Sequence, residues 1–170
     1  MVAITSVLLT VALLGLTLSS FVAVKSLFAL QTFYFVVVAL FLGCTFLGMV
    51  IGSFLLAWLS IGWFQILVGV VCLGVAVMFF QIYHPAYGYF PTYTQLPWLL
   101  ISTLFFIVGL EWAIFGFSRW FILLFSLFFA ASVYAGIYLF FRLKNIPNYR
   151  PLLPWIPLLL LGVIAIWKIF

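Results

Sequence analysis

The sequence predicts an all-α integral membrane protein, a bundle of five to six transmembrane helices forming one polytopic domain over residues 1–170. Three observations carry that expectation. The chain is 70% hydrophobic and 22% aromatic but only 4% charged, and a soluble domain of this size needs far more charge to stay solvated. Its apolar runs are about 20 residues long, the length that crosses a hydrocarbon core of about 30 Å. The runs do not alternate polar with apolar residues, which sets an outer-membrane barrel aside.

The first run is Val2–Val24, ending at Lys25. It lacks a basic leader and a small-residue cleavage site, and its apolar core is too long for a signal peptide. Nor is it an Arg-rich transit peptide, so it reads as the first transmembrane helix. Leu27 to Ile82 carries no charge and is about twice what one helix needs. Helices over 27–50 and 57–82 fit, with a break near Gly52–Ser60. Gly48-x-x-x-Gly52 has the spacing that lets helices approach closely.

Tyr83–Pro97 (YHPAYGYFPTYTQLP) reads as an extended loop, its prolines and glycine opposing a helix and its tyrosines forming an interfacial aromatic belt. A fourth helix is expected over 98–117, with Arg119 marking its end, and a fifth over 120–141. A basic turn, RLKNIPNYRP, follows. The last apolar stretch, 152–170, opens with Pro154 and Pro157; it is long enough to cross the bilayer but also able to lie partly in the interface.

Six basic residues and one acid give a net charge of +5. The bases are scattered near the ends of apolar runs, which suits topological anchors and not a nucleic-acid surface. Six spans place Lys25, Arg142, Lys144 and Arg150 on one side against Arg119 and Lys168 on the other. The positive-inside bias then predicts an outward N-terminus.

One carboxylate and one imidazole rule out paired-carboxylate catalysis, a Ser-His-Asp triad, bis-histidine haem and a zinc site of usual composition. No phosphate-binding or dinucleotide-binding glycine pattern occurs. Cys44 and Cys72 fall mid-segment and read as small buried residues, with neither a disulfide nor a metal site suggested. Alone, the chain is not expected to be an enzyme. It either moves something or belongs to a larger machine.

Glu111, in VGLEWAIF, is the only acid, and an intramembrane acid marks a functional hypothesis. Its place near a segment end equally suits hydration or pairing with Arg119. His84 stands at a loop entrance as an interfacial histidine or a proton carrier. Gln65 and Gln81 suit interhelical hydrogen bonding or a water path. On a regular helix Gly62, Gln65, Gly69, Cys72 and Ala76 share one face, while Gly74 and Gln81 fall on the opposite one. Either neighbours enclose the helix on both sides, or a π-bulge near Cys72–Gly74 rotates the two groups into one stripe.

Two stretches resemble a known family. VCLGVAVMFF (Val71–Phe80) looks like the third helix of subunit 6 of mitochondrial NADH dehydrogenase, the J-type membrane subunit of bacterial complex I. Gly74 matches that family's glycine, and Cys72 stands where it has tyrosine. Another register, over Leu67–Phe79, aligns Gln65 with an acid found in bacterial members but puts Val71 at the glycine. SLFFAASVYAGIYLFFR (Ser126–Arg142) is similar to the family's last helix, with its small pair reversed as Ala135-Gly136. The missing tyrosine, the missing acids and a sixth apolar segment depart from the family pattern.

The resemblance implies a non-redox membrane subunit of respiratory NADH:ubiquinone oxidoreductase in the mitochondrial inner membrane. Cys72, Leu73 and Gly74 would form a π-bulged hinge, with Gln65, Gln81 and Glu111 near a proton or water path. It implies no cofactor on this chain; NADH, flavin, iron–sulfur clusters and ubiquinone would belong to partner subunits. Partners would be other membrane-arm subunits and phospholipids, with no nucleic acid. Competing readings are a small transporter or channel subunit, or a structural or assembly subunit of another bioenergetic complex.

Overall fold

The computed structural model describes residues 2–24, 30–55, 61–85, 87–90, 95–146, 149 and 151–170. Among them lie six helices: α1 (Val2–Val24), α2 (Leu30–Leu55), α3 (Ile61–Ile82), α4 (Leu96–Ile114), α5 (Phe121–Lys144) and α6 (Ile156–Ile169). The first five are long and apolar enough to cross a bilayer, so the chain is a multi-pass α-helical membrane protein. With 14 residues, α6 reaches only about 21 Å.

The boundaries differ from expectation where backbone chemistry intervenes. Helix α2 does not end at residue 50 but continues through Gly52 to Leu55, because that glycine packs against α4. Residues 27–29 and 57–60, expected to be helical, lie outside the described residues. Helix α4 stops at Ile114 and not at 117. Gly116 adopts φ +72°, and its N–H and that of Phe117 donate to the Ala113 and Trp112 carbonyls. This is a Schellman stop, which needs a residue free to turn left-handed. Helix α5 runs on through Arg142 and Lys144, basic residues that suit a helix C-terminus. Residues 151–155 form turns ahead of α6. Pro154 has no N–H to give a helix, and Pro157 sits in the first turn, where none is needed.

Helix α1 is the central post, packed between α5 and α6; α2 lies along α4, and α3 lies on α6 and α4. Its Val7, Val11, Leu14, Leu18 and Phe21 are sealed from the surroundings. The buried hydroxyls of Thr10, Thr17, Ser19 and Ser20 donate to carbonyls three or four residues earlier in the same helix. Those polar groups are therefore satisfied locally and mark no water path.

The starts of α1, α3 and α5 and the ends of α2, α4 and α6 share one end of the bundle. The other end is closed by aromatics. After α3 the chain folds back through a His84–Gly88 bridge, with Gly88 at φ 69°. It carries Tyr89 and Phe90 into the bundle, where they are 1% and 4% exposed against Phe21, Phe33, Phe79 and Trp98. Tyr89 and Phe90 thus belong to the core and not to a surface belt. The Tyr89 hydroxyl donates to the Pro154 carbonyl, tying this loop to the approach of α6. Burial, with a smaller contribution from Tyr83, pushes the Tyr89 phenol above its ordinary pKa, which keeps its O–H a donor.

Candidate functional site

The inward face of α6 carries Leu161, Ile164, Ala165 and Lys168, spaced three, four and seven residues from the first as one helical stripe requires. Lys168 therefore points into the bundle with the apolar residues. Gly69 of α3 admits α6 closely, since a Cβ there would stand 3.0 Å from the Ala165 carbonyl oxygen. On α4, the Schellman stop places Glu111 in the last turn. Trp112, wedged 5.8 Å from the Phe41 ring and 4.8 Å from that of Phe125, sets the rotation of that turn.

Lys168 Nζ and Glu111 Oε1 meet at 2.5 Å, with the two side chains 1% and 2% exposed. Ser6 of α1 completes the cluster. Its oxygen lies 3.5 Å from Lys168 Nζ and 3.4 Å from the Trp167 indole N–H donor, both longer than a good hydrogen bond. Glu111 Oε2 is buried and has no hydrogen-bond partner among the described residues, and neither does Ser126 Oγ. A buried orphan oxygen of this kind calls for a proton, a water or a ligand.

Above the pair is a cavity of about 900 Å³, walled by Ser6, Gly62, Trp63, Gln65, Trp167 and Lys168 among others. Lys168 is part of the wall, and Glu111 contacts it from the interior. Below, the space among Leu14, Phe21, Val75, Phe79 and Leu161 is apolar and about 10 Å³, hardly room for one water. The cavity is thus open at one end of the bundle and stopped inside it.

Pairing of Glu111 with Arg119 is not what the fold produces; the partner is Lys168, and Lys168 is no surface anchor. Cys72, fully buried, lies within electrostatic range of both charges. Gln65 is half-buried in the cavity wall, whereas Gln81 is exposed some 16 residues, or about 24 Å, further along α3. Gln81 therefore lies apart from the cavity that Gln65 shares with Lys168, the partner of Glu111.

The π-bulge expected at Cys72, Leu73 and Gly74 is absent: α3 is regular α-helix from Ile61 to Ile82. The two faces stay apart, with Gly69 and Cys72 buried and Leu73 and Gly74 exposed. A Cβ on Gly74 would meet no atom of the chain within 4 Å, so nothing presses the helix to overwind there. Gly74→Ala is accordingly expected to raise stability by up to about 1 kcal/mol, through helix propensity alone. Thermal unfolding of the purified variant checks this, and a loss of stability would mark an unseen contact.

Sequence reasoning missed Ser6, Trp167 and the inward role of Lys168. The available signal was the stripe Leu161, Ile164, Ala165, Lys168, which puts a cation on an otherwise apolar face. No family model, curated protein or solved structure matches this chain.

Proposed function

We propose that this chain is a small membrane carrier in which Glu111 takes up a proton as Lys168 takes up an anion. The observation behind it is the buried pair whose cation lines the cavity and whose carboxylate keeps one oxygen unpartnered among the described residues. The closed pair is neutral. Adding a proton alone, or an anion alone, leaves an uncompensated charge in a low-dielectric site, at several kcal/mol. Adding both together keeps the site neutral. Proton and anion binding are therefore coupled by electrostatics.

The titratable neighbours of Glu111 are Lys168 on α6 and Cys72 on α3. Helix α1 brings the Ser6 hydroxyl, α2 has no charged side chain, and the bases of α5 lie at its far end. With Lys168 engaged in the pair, Arg119 is the remaining basic residue at the cavity end among the described residues, against Arg142 and Lys144 at the other. That bias favours a cavity and an N-terminus facing outward.

Membership of a respiratory NADH:ubiquinone oxidoreductase in the mitochondrial inner membrane is the reading that the family resemblance implies. It rested on a bulged α3, and a regular α3 with Gly74 turned outward lends it no support. The carrier reading has a specific structural observation behind it.

Glu111 is the chain's one acidic side chain, so infrared difference spectroscopy can follow it without interference from other side-chain carboxyls. In an ester-free detergent at constant pH, benzenesulfonate is expected to produce a protonated-carboxyl band that is absent in Glu111→Gln and Lys168→Met. Quenching of indole fluorescence reports when the cavity is filled. A filled cavity with Glu111 still ionised would overturn the coupling.

A further inference from the structure

We infer that the groove between the start of α2 and the end of α5 binds an acidic phospholipid. The groove holds about 320 Å³ between Leu30 on α2 and Tyr134, Ile137, Phe141, Arg142 and Asn145 on α5. It lies at the end of the bundle opposite the cavity and is independent of the carrier reading.

The charge balance at this end points to an outside anion. Arg142 and Lys144 belong to it, while the chain's one acid is Glu111, already paired at the other end. No second acidic side chain exists in the sequence to pair with these bases. Arg142 is exposed, and its guanidinium lies 4.8 Å from the centroid of the Tyr138 ring. That stacking holds the planar donor fork in place, with N–H groups left to meet a phosphate in bidentate fashion. Lys144 rests 5.6 Å from the Phe141 ring and flanks the same mouth.

The apolar part of the groove selects an amphiphile over a free anion. Ile137 and Phe141 line it, and exposed Tyr134, at 70%, and Tyr138, at 59%, stand along the same outer face of α5. An acyl chain following α5 into the bilayer places its phosphate beside Arg142 and Asn145. Basic pockets between transmembrane helices are established recognition sites for acidic lipid headgroups. A zwitterionic lipid brings its own ammonium to the same place and gains less.

The test is native mass spectrometry of the full chain, delipidated in detergent and offered phosphatidylglycerol and phosphatidylcholine of matched acyl chains. Wild type is expected to retain phosphatidylglycerol about fivefold better, and Arg142→Gln to remove that preference. Tyr138→Phe should keep it and Tyr138→Leu weaken it, since the ring and not the hydroxyl positions the guanidinium. Arg119→Gln, at the other end, should leave it intact. Glycerol phosphate without acyl chains should not compete at equal concentration; if it does, the site takes a free anion and the lipid assignment falls. Equal retention of the two lipids, or equal losses from Arg142→Gln and Arg119→Gln, would likewise overturn the proposal. The first would mean ordinary annular lipid and the second a diffuse response to net charge.

Discussion

Lys168→Met by itself is expected to destabilise the fold by about 3–5 kcal/mol, because it leaves Glu111 charged, buried and unpaired. Glu111→Leu strands Lys168 in the same way. The double replacement should recover most of the loss, and well-packed apolar groups in place of a buried pair can match or exceed its stability. Reversible unfolding of all four proteins in mixed micelles measures the coupling directly. Strictly additive losses would mean that the 2.5 Å contact contributes nothing specific. The double variant also separates structure from function. On the carrier reading it folds but binds neither proton nor anion, whereas a pair that only staples α6 to α4 would be replaceable without functional loss.

Gly109→Leu is the second large effect. A Cβ at Gly109 would stand 2.7 Å from Thr45 Cα and 2.9 Å from its carbonyl carbon. These are backbone atoms of α2, held within a helix, and no rotamer change relieves the overlap. The reciprocal side is as tight: a Cβ on Gly48 would press on the Phe106 carbonyl oxygen and stand 3.1 Å from Gly109 Cα. The helices must separate, which loosens the edge-to-face contact of Phe41 and Phe105 at 5.0 Å. It also displaces Glu111, two residues further along α4, from Lys168. Overpacking alone costs about 1–3 kcal/mol, and the disturbed ion pair adds to it. Gly43→Ala is the control, since a Cβ there meets nothing within 4 Å and should be neutral or slightly stabilising. Equal melting temperatures for Gly109→Leu and wild type would show that α2 and α4 are not in backbone contact.

The spacing Gly48-x-x-x-Gly52 was visible in the sequence as a possible contact, but its partner was not. Gly109 offers no distinguishing neighbour in VGLEWAIF, and a glycine's importance depends on what stands opposite it. The same holds for the polar residues of α3. Their two faces were readable from helical periodicity, and the fold keeps them separate, with Gln65 and Cys72 inward and Gly74 and Gln81 outward. Both expectations, enclosure on two sides and a bulge that makes one stripe, assumed that Gly74 and Gln81 needed protein against them. In the structure a single face packs, so a regular helix satisfies every contact the chain makes.

Composition and run length alone determined the membrane class, the helical architecture and the approximate span positions, because each transmembrane helix must satisfy its own backbone and match a fixed bilayer thickness. Those are local requirements, written within some 20 successive residues. Tertiary structure decided which charges meet. Glu111 and Lys168 are 57 positions apart and on different helices, and Ser6 joins them from the far end of the chain. Their convergence depends on how α1, α4 and α6 rotate against one another, and that rotation is set by glycine contacts and aromatic packing distributed over the whole bundle.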